Sequence, residues 1–290
     1  MLGEILGKLI VQLQFSPNIM DTNELLRRYL ARERNFQGAN LKKINLMGAD
    51  LNGADLIGAD LSGADLRGTQ LIDADLSNTD LSRVNLSGAN LKQANLSGVN
   101  LNAANLSRTF LMHADLRGAT LIEANLMDAD LADVNLSRVN LTQVNLSRAN
   151  LSSANLFGAI LTEAIMVGAD LSGAFLIGAD LSDTNLSGAN LSGADLRGSN
   201  LSRVNLSGAD LFGVNLSGAN LTQATLNRAN LSYSNLSNTN LTEVDLKITD
   251  VENARFGENE GLSETNQFDL QRRGAILEMT SFSVRGMPGS

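Results

Sequence analysis

Side chains able to do acid–base or nucleophilic chemistry are plentiful in this chain, but few are spaced for it. Of its 290 residues, 31 are Asp or Glu, one is His and none is Cys. A single His excludes every multi-His metal site and most nucleophile–base pairs. Without Cys there is no thiolate chemistry and no disulfide. His113 falls on an outward corner beside Phe110 and Met112, where an ordinary surface imidazole is expected. Most Ser residues follow directly after a Leu, as in Leu61-Ser62 and Leu191-Ser192, with no general base within motif reach. The Gly-x-x-x-x-Gly spacings lack a following Lys-Ser and a helix, so they are not phosphate loops. No catalytic, cofactor-binding or metal-binding residue is assigned.

What organises these residues is a repeat. Every fifth residue from Phe36 to Phe256 is apolar, 45 positions without an insertion, and 41 of them are Leu. The exceptions are Phe36, Met166, Val251 and Phe256. Neither a helical nor a strand period fits a repeat of five. Five residues that bury the Leu and the residue two before it form one side of a coil with a corner at its end. That second column holds Ala, Val, Thr or Ser from Ala39 to Ala254, apart from Ile44. Large alternating with small fills a narrow core without voids. The second residue after each Leu is often Gly, otherwise often Asn, Asp or Arg, which suits a turn position of positive φ. Arg108, Arg138 and Arg148 at that position predict a different turn.

Units such as Ala49-Asp50-Leu51-Asn52-Gly53 and Ala189-Asn190-Leu191-Ser192-Gly193 make the chain resemble the pentapeptide-repeat family. The resemblance covers residues 34 to 256 and implies an all-β fold, a right-handed parallel quadrilateral β-helix with one pentapeptide per side. At four sides per coil, the 45 repeats give about eleven coils, and at about 4.8 Å per coil a rod roughly 53 Å long.

Such a rod needs its ends covered. Residues 21–34 are expected to form a helical cap, with Asp21 and Glu24 as a capping box and Leu25, Leu26, Tyr29 and Leu30 as the apolar stripe. The β-helix is placed at 35–257, a second helical cap at 258–278 with Ser263 as N-cap, and a flexible tail at 279–290. The run Glu24-Leu25-Leu26-Arg27-Arg28-Tyr29 is similar to the opening of cyanobacterial pentapeptide-repeat proteins. That similarity suggests Met20 as the start and 1–20 as an upstream extension.

Dealing the repeats onto four sides separates the charge. The side centred on Leu51, Leu71 and so on to Val251 carries Asp50, Asp73, Asp130, Asp133, Asp170, Asp210, Asp250 and Glu252, against Lys92 alone. In its ladder no two Asp are adjacent, which limits repulsion between neighbours about 4.8 Å apart. Outward apolar residues gather at Phe157, Ile160, Ile165, Val167, Phe175 and Ile177, a candidate partner surface. A pI near 4.7 and the lack of a basic stripe argue against direct nucleic-acid binding. No apolar run is long enough to span a membrane, so a cytoplasmic location is expected. The expected function is a non-enzymatic protein-interaction or scaffold module acting on a protein partner or a second copy. The alternatives are a DNA-mimicking topoisomerase-binding protein, as the resemblance to the family's quinolone-resistance members implies, and, further off, an enzyme of unknown type.

Overall fold

Backbone hydrogen bonding explains why the side is five residues long. In the repeat centred on Leu51, the Leu51 N–H donates to the Gln70 carbonyl and the Gly53 N–H to the Ile72 carbonyl, both at 2.8 Å and both one coil on. The Ala54 N–H closes the corner on the Leu51 carbonyl at 3.1 Å, and the Asp55 N–H reaches back one coil to the Arg34 carbonyl at 2.8 Å. The remaining donor, the Asn52 N–H, is taken by Asp50 Oδ1 at 3.1 Å. Every N–H of the side therefore has an acceptor, as a packed backbone requires. The Asp or Asn before each Leu is thus a structural acceptor as well as a surface residue. Ser62, Ser147 and Ser192 bind Asp60, Asn145 and Asn190 in the same way.

The protein is described here from a computed structural model covering residues 20–278. Of the expected extension over 1–20 only Met20 is described, and the expected tail over 279–290 lies outside the described residues. Parallel bridges join residue i to residue i + 20 at every fifth residue from Asn35–Asp55 to Asn240–Glu260, with Thr225–Asp245 alone missing. The chain is therefore a four-sided parallel β-helix whose register runs unbroken to the last coil. Its core is the Leu column and the small-residue column, both buried along the axis apart from the partly buried Ala49 and Val244 near its ends. Hydroxyls in the small column are satisfied locally: Thr69 Oγ1 donates to the Leu46 carbonyl at 2.9 Å and Ser199 Oγ to the Leu196 carbonyl at 2.7 Å. Paired in this way, they cost the core little.

The corners are more uniform than the residue types suggest. Arg108, Arg138 and Arg148 have φ of 57°, 58° and 56°, beside 64° at Gly53. The separate turn expected for Arg is not formed, because the two flanking ladders hold the corner in one conformation whatever residue stands there. One corner escapes. Among the 45 corner residues only Ile248 lacks a positive φ, and it is the only β-branched residue at that position. Branching at Cβ makes the left-handed conformation too costly. The ladder slips there: Thr225 has no bridge to Asp245, and the Arg228 N–H donates to the Ile248 carbonyl, one residue later than the pattern.

Helix α1, Thr22–Leu30, starts on Asp21, whose side chain accepts from the Glu24 N–H. It buries Leu25 and Tyr29 against the first coil, while Leu30 points outward, 82 % exposed, and is not part of the apolar stripe. Nine residues of helix can present only a narrow face to so small an end. Three carbonyls of the first coil receive donors from this segment: Asn40 from the Met20 N–H at 3.1 Å, Asn45 from Thr22 Oγ1 at 2.9 Å, and Asn52 from the Tyr29 hydroxyl at 2.8 Å. At the other end strand β1, Arg255–Phe256, pairs in parallel with β2, Ile276–Leu277. Between them helix α2, Glu264–Arg272, capped by Ser263, buries Leu270.

Candidate interaction surfaces

With the register intact, sequence position translates directly into face. Asp50, Asp130, Asp170, Asp210 and Asp250 lie in one ladder, linked through Gln70, Asn90, Phe110, Asn150, Asn190 and Asn230. Asn150, Asn190 and Asn230 donate through Nδ2 to Asp130, Asp170 and Asp210 at 3.1, 3.0 and 3.0 Å. From Asp130 to Asp250 a neutral amide thus separates successive carboxylates and leaves them two coils apart, about 9.6 Å, while Asp50 stands four coils from Asp130. Asp73 and Asp133 occupy corners of the same face, and Glu252 follows Val251.

None of these eight carboxylates has a Lys or Arg nitrogen within 4.0 Å among the described residues. Several acids on the other faces do, though Asp55, Asp75, Asp80 and Asp180 among them do not. The Arg67 guanidinium two residues on holds the Asp65 carboxyl below its usual range, and Arg117 and Arg197 do the same for Asp115 and Asp195. Arg148 and Arg203 hold down Asp128 and Asp183 from the next coil, at 2.7 and 2.6 Å. Negative charge is partly neutralised elsewhere on the rod, whereas on this face no carboxylate is paired among the described residues.

The six apolar candidates do not form one patch. Phe157, Phe175 and Ile177 lie on one face in consecutive coils and line a groove of about 520 Å³ with Val134, Asn135 and Asn155. The Arg138 guanidinium sits 5.8 Å from the Phe157 ring centre. Ile160 belongs to the next face round, and Ile165 with Val167 to the one after that. Five residues carry the chain past a corner, so neighbours in sequence here are separated by an edge of the rod. The candidate surface is a groove on one side and a belt of exposed branched residues on the next two.

Those residues also interrupt the scaffold. Ile160, Ile165 and Phe175 stand where Asp or Asn would accept the N–H two residues on. Thr162, Val167 and Ile177 consequently have no side-chain acceptor for that N–H among the described residues. At Gln70 and Thr120 the deficit is repaired instead, by Asn52 Oδ1 to the Ile72 N–H at 2.7 Å and Asn102 Oδ1 to the Ile122 N–H at 2.9 Å.

A second groove, of about 840 Å³, was not anticipated. It opens at the slipped corner, between Phe212, Tyr233 and Ile248, on the C-terminal end of the acidic face. The signal was present in the sequence: Phe212, Tyr233 and Ile248 each depart from the Ser, Gly or polar residue their columns otherwise favour. His113 is an exposed corner residue with φ of 59°. Among the described residues no group of three or more His, Asp or Glu is placed to hold a metal ion, and no helix is long and apolar enough to cross a membrane.

The family model for pentapeptide repeats matches in successive segments from residue 35 to residue 257. No curated protein matches the sequence. Among solved structures, HetL, a pentapeptide repeat protein involved in heterocyst differentiation regulation from the cyanobacterium Nostoc sp. strain PCC 7120, is 38 % identical over 80 % of this chain and 97 % of its own, with a TM-score of 0.37. The pentapeptide repeat protein alr5209 from Nostoc PCC 7120 is 34 % identical over 36 % of this chain and 84 % of its own, with a TM-score of 0.34. QnrB1, a plasmid-mediated fluoroquinolone resistance protein, is 17 % identical over 79 % of this chain and 94 % of its own, with a TM-score of 0.32. On the twenty-residue return of the backbone, the repeat matches along 35–257 and the identity to HetL, the chain belongs to the pentapeptide-repeat family.

Proposed function

We propose that this protein is a non-enzymatic interaction module that docks a protein partner on the side of its rod, at the groove formed by Phe157, Phe175 and Ile177. The supporting observation is the exchange made at Phe175 in the groove, repeated at Ile160 and Ile165 on the two faces beyond it. Each replaces the acceptor that completes a side's hydrogen bonding, and each puts an exposed apolar side chain in its place. Within a scaffold this exchange is a loss, since a backbone donor loses its partner and apolar surface meets water. A partner docked in the groove offsets the loss at Phe175 by covering its side chain with those of Phe157 and Ile177. The rigid ladder beneath holds them in place, so little ordering entropy opposes binding.

The open carboxylates favour a second reading, DNA mimicry toward a topoisomerase. Magnitude weighs against it. Duplex DNA carries about 31 charges over about 53 Å, whereas the acidic face has eight acids and one Lys.

The test is the double substitution Phe157→Ser with Phe175→Asn, residues the repeat already uses at those positions. Tagged parent and variant are used to recover partners from lysate of the source cell, and both are weighed by sedimentation. Loss of a specific co-purifying protein, or of a dimer, in the variant supports the groove as the docking site. Identical recovery and mass, with the fold intact by circular dichroism, refute it.

A further inference from the structure

We propose that the groove at Phe212, Tyr233 and Ile248, together with the acidic ladder below it, binds an extended basic peptide segment. That segment would carry a cation at every third residue and an aromatic or branched residue at one end. The proposal rests on the reading of the chain as an interaction module, but it uses a different face and a different partner chemistry.

The groove supplies the apolar anchor. Phe212 and Tyr233 come from consecutive coils, with ring centres 5.2 Å apart and planes at 48°. They stay 47 % and 58 % exposed, and Ile248 is 57 % exposed beside them. Together they make a rigid wall that could take one ring or branched side chain. The slipped corner at Ile248 is what opens the space, because a regular corner would hold its main chain in the ladder.

Charge selects the occupant. Asp250 and Glu252 line the groove without a cation within 4.0 Å. The two cations that also line it each have a carboxylate neighbour outside the groove lining. Lys247 lies 3.9 Å from Asp245, and Arg273 pairs with Asp269 at 3.0 Å while its Nη1 donates to the carbonyls of Thr249 and Lys247 at 2.9 and 3.2 Å. A guanidinium reaching into the groove meets open carboxylates and aromatic faces, both of which attract it.

Spacing then selects the conformation. Asp250, Asp210, Asp170 and Asp130 descend the face at intervals of about 9.6 Å. An extended chain in the polyproline II conformation has three residues per turn and rises about 3.1 Å per residue, so every third side chain faces the rod about 9.3 Å from the last, in step with the carboxylates. A helix offers about 10.5 Å at seven residues, about 0.9 Å too long at each step, so it drifts out of register over four carboxylates. Nucleic acid and anionic lipid are excluded by sign, and a second copy of this face repels itself.

The experiment uses the full chain and a short fluorescein-labelled synthetic peptide with arginine at every third position and phenylalanine at one end. A control peptide of the same composition has its arginines adjacent. Fluorescence anisotropy reads binding of both. The in-step peptide is expected to bind at least tenfold more tightly than the control. Phe212→Ser with Tyr233→Ser, and separately Asp210→Asn with Asp250→Asn, should each weaken it at least tenfold. Asn already occupies the same ladder at Asn190 and Asn230, so the second variant keeps the fold even if the first does not. The Phe157→Ser, Phe175→Asn protein should bind the peptide as the parent does.

Equal affinity for the two peptides would mean charge attraction without a register and would overturn the proposal. So would unchanged binding in the aromatic variant, or no binding of either peptide. In none of these cases is the partner groove at Phe157 affected, since it is judged by recovery and mass alone.

Discussion

The hydroxyl of Tyr29 donates to the main-chain carbonyl of Asn52 across 2.8 Å, tying the N-terminal helix to the first coil. Asn52 in turn accepts the Ile72 N–H through Oδ1 at 2.7 Å, so one residue links the cap to the second coil. Tyr29→Phe should cost about 1 kcal/mol, the usual worth of a hydrogen bond. Leu25→Ala should cost about 2–5 kcal/mol, because Leu25 is wholly buried under the helix. Urea unfolding followed by circular dichroism measures both. Deletion through Arg34 should leave the first coil uncovered and drive association, visible as a rise in light scattering. A monodisperse truncated chain would mean the helix is dispensable as a cap.

Ile248→Gly should repair the slipped corner. Gly takes a positive φ without a Cβ penalty, so the Thr225–Asp245 bridge can form and the ladder regain its hydrogen bonds, worth about 1 kcal/mol each. The expected outcome is a higher melting temperature and slower exchange of the Leu226 amide, read by hydrogen exchange. A destabilised variant would show that Ile248 is held by packing, with the slip its consequence.

Asn150→Asp would insert a carboxylate between Asp130 and Asp170, so that three consecutive coils each carry one. It removes the amide that donates to Asp130 at 3.1 Å and sets like charges about 4.8 Å apart. A loss of about 1–2 kcal/mol at low salt is expected, most of it recovered near 1 M salt, where the Debye length shrinks to about 3 Å. Thermal melts across a salt series check this, and a salt-independent loss would point to geometry instead of charge.

Acidification should destabilise the rod. Asp65, Asp115 and Asp195 are held below the ordinary carboxylate range by Arg hydrogen bonds on the same side, and Asp128 and Asp183 by Arg on the next coil. A value lower in the folded than in the unfolded chain stabilises fully above the unfolded value, about 3.9. That stabilisation is lost as pH falls through the folded value. Each pair is solvent-exposed and its own share is small. Relief of repulsion on the acidic face offsets little, since charges about 9.6 Å apart already exceed the Debye length of about 8 Å at physiological salt. Stability measured by urea unfolding should be flat from neutrality to about pH 5 and fall below about pH 4. An increase below that pH would overturn this assignment.

The repeat by itself determined the scaffold. A Leu every five residues with a small residue two before it has one way to bury both columns, and an uninterrupted count assigns every residue to a face. Asp50, Asp130, Asp170, Asp210 and Asp250 could therefore be put on one ladder from the sequence alone. That inference works because each side is a local unit whose length does not depend on its neighbours. Only the tertiary structure decided what depends on stacking. The flanking ladders forced Arg108, Arg138 and Arg148 into the same turn as glycine, against their own preference. Leu30 turned outward because the end of the rod has room for Leu25 and Tyr29. Ile160 and Ile165 went to other faces than Phe157, as a corner separates neighbours in sequence. The slip at Ile248 is also an outcome of stacking, for a β-branched residue resists that corner anywhere, but the ladder can yield only near its end, where few coils remain to hold it.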